Sequence, residues 1–199
     1  MVAIIDYGVG NLFSLRSSFA AIGVEAVVSG DPQVLGQCDR LVLPGVGAFG
    51  DAAEKLRQTG LDDFVRKQAA SGKPLLGICL GMQLLFEKSY EYGEHEGLGL
   101  LKGQVVGMSG RIPEGLKIPH MGWNALKLCK PAKLLEEGSY VYFVHSFYAE
   151  NCEASVAAVT DYGIPITAAV EQGNIFGCQF HPEKSGNVGL MILKRFCSV

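Results

Sequence analysis

The sequence predicts an α/β fold: an open, mostly parallel sheet with flanking helices and an antiparallel extension. Two patterns carry that expectation. In the first half, short apolar runs rich in Val, Ile and Leu alternate with stretches of helical spacing, which is how parallel strands joined by crossover helices read. After residue 98 the helical stretches stop and strand-like runs follow one another, separated by turn residues. Composition supplies the core: of 199 residues, 48% are hydrophobic and 19% charged, the balance of a globular chain and not a disordered one.

Taken in order, "VAIID" is a first strand. "NLFSLRSSFAAIG" is a helix with Leu12, Leu15, Phe19 and Ile22 at helical spacing, closed by Gly23. "VEAVVS" and "DRLVLPG" are further buried strands, and residues 50 to 71 form a helix broken near Gly60. "KPLLGIC" is a strand and "LGMQLLFEKSY" a helix. The runs "GQVVGM", "NALKLCK", "YVYFVHSFYAE", "EASVAAVT", "ITAAVEQ" and "IFGCQFH" make the antiparallel part, and "NVGLMILKRF" closes the chain as a helix. With no repeat, low-complexity tract or linker, residues 1–199 are expected to form one domain.

Several functions are disfavoured at once. A net charge of −3 leaves no basic footprint for nucleic acid or anionic membrane. No apolar run approaches the roughly 18 residues of a membrane span. The opening "MVAIIDYGVG" lacks a charged leader and reads as a strand, not a signal peptide. Six cysteines (38, 79, 129, 152, 178, 197) stand without Cys-x-x-Cys pairs, which argues against a disulfide framework and a zinc site and for a reducing cytoplasm. No cofactor is expected.

Chemistry concentrates at three strand ends. In "GICLGMQ", Cys79 follows a buried strand, precedes a helix and sits between Gly77 and Gly81. That is the pattern of a nucleophile elbow with Cys in place of Ser, where the helix start favours thiolate and the Leu80 N–H faces any oxyanion. A buried structural cysteine gives the same letters. In "GCQFHPEKSG", His181 ends a strand at Pro182, and Glu183 stands where it could orient an imidazole. A strand-end histidine alone is as well explained by structure; the pairing with Cys79 makes it a base. In "LPGVGAFG", three glycines within seven residues free backbone N–H groups for a ligand. A phosphate loop would place Lys and Ser/Thr after the glycines, and "AFGDAAEK" does not, so an oxyanion role beside the thiol fits better. The Gly-rich "DYGVGNLF" has Phe13 where a dinucleotide loop needs its third glycine.

Taken together and in order, "PGVGAFG", "GICLGMQ", "FVHSFY" and "CQFHPEKS" resemble the class I, or triad, glutamine amidotransferases over nearly the whole chain. Within that family "DYGVGNL", "PGVGAF" and "IPHMGWN" are similar to the glutaminase branch serving imidazole glycerol phosphate synthase in histidine biosynthesis. The resemblance implies a class I amidotransferase-like fold and a Cys79–His181–Glu183 triad that hydrolyses glutamine to glutamate and ammonia through a Cys79 thioester. It implies an oxyanion hole from Leu80 N–H and the Val46–Gly47 segment, and a glutamine pocket lined by Gly47, Gln83, His145, Ser146 and Phe147. Phe147 stands where the motif also carries Tyr. The implied partner is a synthase (cyclase) subunit in a heterodimer, which receives the ammonia and makes imidazole glycerol phosphate and an aminoimidazole carboxamide ribonucleotide. Asn11, His120, Met121, Trp123 and Lys184 are expected to face it.

Plainer readings stand beside these. His145 could be a strand residue bonded to backbone, His120 structural, Trp123 core, Lys184 a surface charge and His95 a solvated loop residue. Competing classes are a free-standing thiol hydrolase and a binding module that has lost its chemistry. Among amidotransferases, the glutaminases of pyridoxal phosphate synthase and anthranilate synthase are the alternatives.

Overall fold

The computed structural model describes residues 1–199. The first half runs β1 (Val2–Ile5), α1 (Leu12–Ala21), β2 (Ala26–Ser29), α2 (Pro32–Gly36), β3 (Arg40–Leu43), α3 (Phe49–Gln58), α4 (Leu61–Ala70), β4 (Leu75–Ile78) and α5 (Leu80–Gln83). The second half runs β5 (Lys88–Ser89), β6 (His95–Glu96), β7 (Gln104–Gly107), β8 (His120–Ala125), β9 (Lys127–Leu128), β10 (Tyr140–His145), β11 (Phe147–Glu150), β12 (Val156–Asp161), β13 (Pro165–Gln172), β14 (Ile175–Cys178), a 3₁₀ turn (Pro182–Lys184) and α6 (Gly186–Phe196).

The main sheet has eight strands in the order β2-β1-β3-β4-β14-β13-β12-β9. Its first five are mutually parallel; β13, β12 and β9 pair antiparallel. The central strands read as continuous apolar runs because both faces are covered. One apolar cluster, with Ile5, Leu43, Phe49 and Met82, fills one face. The other, with Ile4, Val42, Ile78, Phe176 and Phe180, lies under α1 and α6. Two small sheets, β10-β8 and β11-β7-β5-β6, flank the main one. The expected mostly parallel sheet with an antiparallel extension is what forms, and the break at Gly60 (φ 69°) separates α3 from α4 as expected.

Two expectations are corrected. "LGMQLLFEKSY" is helical only over Leu80–Gln83. Beyond it the carbonyls of Leu84, Leu85 and Phe86 accept from Leu98, Leu100 and Gly99 N–H at 2.8, 2.9 and 3.0 Å, and Lys88–Ser89 joins a sheet. Tertiary backbone partners outcompete the continuing helix. "YVYFVHSFYAE" is not one strand: it divides at Ser146, β10 pairing with β8 and β11 with β7.

Register positions the chemistry. β3 lies beside β4 with Leu43 opposite Gly77, and β14 lies on the other side of β4 with Cys178 opposite Ile78. The next residues of all three strands therefore emerge together at their carboxyl ends, where open α/β sheets gather their ligands.

Candidate active site

Cys79 leaves β4 with φ 53° and ψ −112°, a backbone setting that a non-glycine residue adopts at a cost of about 1–3 kcal/mol. Close packing of three backbones enforces it. A Cβ on Gly81 would lie 1.9 Å from the Leu43 carbonyl oxygen, and one on Gly77 would lie 2.6 Å from that of Gly81. The glycines flanking Cys79 are therefore spatial requirements. The Cys79 N–H donates to Cys178 O at 2.7 Å, stapling the elbow to β14. The elbow turns the side chain toward a cavity and not into open solvent. Cys79 is 8% exposed and forms the floor of a cavity of about 390 Å³, within the size range of small-molecule sites.

Three residues past β14, His181 reaches the same cavity. Its Nδ1 lies 2.7 Å from Glu183 Oε1, and the two side chains are 3% and 1% exposed. Burial pulls the imidazole down, but hydrogen bonds and charge from Cys79 and Glu183 outweigh it and lift its pKa to about 9. At neutral pH this ring is an imidazolium held between Cys79 and Glu183, poised to give a proton. The structure thus brings Cys79, His181 and Glu183 together.

The glycine segment after β3 forms the adjacent wall. Val46 and Gly47 line the cavity, Gly47 at φ 92°. The N–H groups of Val46 and Gly47 make no hydrogen bond within the chain, and the Leu80 N–H opens α5, where a helix has no intrahelical acceptor for it. His145, Ser146 and Phe147, at the divide between β10 and β11, also line the cavity, as does Gln83. Gln83 Nε2 donates to Phe147 O and to Gln179 Oε1, both at 3.0 Å. His145 is buried, and its Nδ1 lies 2.9 Å from Phe147 O, which only accepts, so Nδ1 carries the proton. Burial, with the nearby charges of His120 and His181, pushes its pKa down to about 3 despite that bond. A neutral His145 then accepts at Nε2 from His120 Nδ1, 2.9 Å away.

Of the residues expected at a partner surface, Met121 and Trp123 are 64% and 51% exposed. Lys184 is exposed at the cavity rim. Asn11 is half-buried and caps α1, accepting from Ser14 N–H at 3.4 Å. His120 departs from expectation: it is 1% exposed, stacked between Tyr162 and Phe143 with centroids at 4.0 and 4.9 Å. Alternation along β8 explains it, since an inward His120 turns Met121 outward.

Sequence reasoning missed four site residues. Gln179 Nε2 contacts Cys79 Sγ at 3.8 Å. Glu91 lines the cavity, its Oε2 accepting from Phe49 N–H at 2.6 Å, and burial raises its pKa against that bond and the His95 charge. Tyr92 and Pro119 complete the rim. The one available signal for Gln179 was its place between Cys178 and Phe180, a polar side chain inside an apolar strand end.

The family model described as glutamine amidotransferase class-I matches residues 3–198. The chain belongs to this family. Full-length relatives agree. "Imidazole glycerol phosphate synthase subunit HisH" of Wolinella succinogenes is 52% identical, covering 100% of both chains. The protein of the same name from Methanothermobacter thermautotrophicus is 51% identical, over 100% of this chain and 98% of its own. Among solved structures, "Crystal structure of glutamine amidotransferase" superposes with TM-score 0.77 at 22% identity, covering 98% of each chain. "Structure of PurLQS from Thermotoga maritima" gives 0.76 at 22%, over 99% and 97%. These last two share the class I amidotransferase fold. No helix is long and apolar enough to cross a membrane.

Proposed function

We propose that this chain is the glutaminase subunit of an imidazole glycerol phosphate synthase, a single amidotransferase domain over residues 1–199. Cys79 thiolate attacks the side-chain amide carbon of glutamine, forming the S–C bond. Leu80 N–H and an N–H of the Val46–Gly47 segment hold the oxyanion. His181, as imidazolium paired with Glu183, gives its proton to the departing nitrogen as the C–N bond breaks, leaving ammonia and a glutamyl thioester. Water then attacks the thioester, His181 takes its proton, and the S–C bond breaks to release glutamate. His145, Ser146, Phe147, Gln83 and Gly47 shape the glutamine pocket, and the Glu91 carboxylate supplies the negative charge that an α-ammonium needs. What carries this reading is full-length identity near 50% to relatives of that name, together with a thiol, an imidazolium and a buried carboxylate on adjacent strand ends.

Ammonia in water near neutral pH is mostly ammonium, which has no lone pair to attack with. Its use therefore favours direct passage to a cyclase partner docked over Lys184, Asn11, Met121 and Trp123, forming a heterodimer in the cytoplasm, where free cysteines stay reduced. The test mixes the chain with candidate synthase subunits and supplies amide-labelled glutamine beside unlabelled ammonium. We expect co-purification with the imidazole glycerol phosphate-forming subunit and undiluted label in its product. Glutamine that supports synthesis no better than free ammonium would overturn the assignment.

A further inference from the structure

Tyr7 is buried, 3% exposed, in the turn between β1 and α1, and its hydroxyl donates to the Pro44 carbonyl at 2.8 Å. Burial, with the nearby charge of Cys79, holds this phenol above the ordinary tyrosine range, so it stays a donor at any working pH. Its acceptor is the first carbonyl of the glycine segment that walls the active site. Other contacts fix the same point. A Cβ on Gly10, at φ 124°, would lie 2.9 Å from Pro44 Cβ, and one on Gly45 would lie 2.7 Å from Gly81 N. Pro44 and Gly45 are buried, whereas Val46 and Gly47 are exposed and form no backbone hydrogen bonds. A pinned peptide thus leads directly into a free one.

We propose that Tyr7 is a positioning residue for glutamine hydrolysis: its hydroxyl tethers the Pro44–Gly45 peptide so that the following N–H groups stand over Cys79. The inference rests on the oxyanion role assigned to this segment. Without the tether, the first peptide is free to turn along with the second, and the donors spend less time aligned. The ground-state pocket and the thiol are untouched, so the loss falls on the step that builds negative charge on oxygen.

The test is Tyr7→Phe, which keeps the buried ring. Glutamine turnover is measured for the isolated chain and for the chain with its synthase subunit, under whichever condition is faster. Losing one neutral buried hydrogen bond should lower kcat about three- to tenfold. The KM for glutamine should change little, and Cys79 should react at its normal rate with iodoacetamide, an alkylation that forms no oxyanion. Gly10→Ala, which displaces Pro44 while leaving Tyr7 intact, should give the same pattern and serves if Tyr7→Phe folds poorly. An unchanged kcat overturns the proposal, as does an equal loss in alkylation. Gly47→Ala separates the two layers. If it is severely slowed while Tyr7→Phe is not, only the tether is wrong; if Gly47→Ala turns over normally, the oxyanion reading fails and the tether falls with it.

Discussion

Replacing Glu183 by Gln keeps the size of the side chain and an oxygen for His181 Nδ1 but removes the charge. In the native chain this contact is 2.7 Å long and almost fully buried. With Cys79, it lifts His181 from 6.5 to about 9 against the pull of burial. That rise corresponds to roughly 3 kcal/mol of net preference for the imidazolium after the cost of burial, so the two partners together supply more than that. Losing the Glu183 share should lower the apparent pKa. The pair titrates together, so the observable is the alkaline limb of the rate profile. We expect glutamine turnover to fall near pH 9 in the native enzyme and at a lower pH in Glu183→Gln, with kcat down about a hundredfold or more. Stability gives an independent check. A raised histidine pKa contributes stability that is complete below about pH 6.5 and lost as pH rises through about 9. The melting temperature should therefore decline across that window, and decline less in the variant. Glu183 Oε2 has no partner within the chain, so the new amide N–H₂ there should also cost about 1–3 kcal/mol at all pH values. An unmoved alkaline limb with turnover within a few-fold of native would refute the role given to Glu183.

Further outcomes follow from the same geometry. Gly81→Ala forces a Cβ into the Leu43 carbonyl, so the elbow must shift off β3; both melting temperature and turnover should drop sharply, whereas Gly173→Ala, at an open turn, should leave turnover near native. His181→Ala should cost about as much activity as loss of Cys79, because triad members act as a unit. The isolated chain should turn glutamine over slowly, faster with its synthase subunit and faster again with acceptor ligand, since one misplaced oxyanion donor costs roughly a hundred- to a thousandfold. Full activity of the isolated chain would contradict that switch.

The parallel half of the fold was legible because each strand is a compact apolar run punctuated by Gly, Pro or Asp. The triad was legible for the same reason: Cys79 and His181 end such runs, and in a parallel sheet strand ends meet. What stayed hidden depends on contacts distant in sequence. Leu84–Phe86 look helical until residues 98–100 claim their carbonyls. The split of "YVYFVHSFYAE" at Ser146 is decided by two partner strands that no local pattern names. Gln179, Glu91 and Tyr7 were passed over because a glutamine in a strand, an acid in a charged loop and a tyrosine in a turn become part of a site only through what the fold sets against them. His120 was misplaced because the inward or outward phase of β8 is fixed by its pairing with β10.

Rapid acid quench of the active complex with glutamine, followed by peptide mass analysis, looks for the covalent glutamyl thioester on Cys79 itself. We expect one glutamyl group on the peptide carrying Cys79, its absence in Cys79→Ala, and no ammonia release from that variant although it remains folded. Ammonia release at the native rate from Cys79→Ala, or a glutamyl group on any other residue, would contradict it.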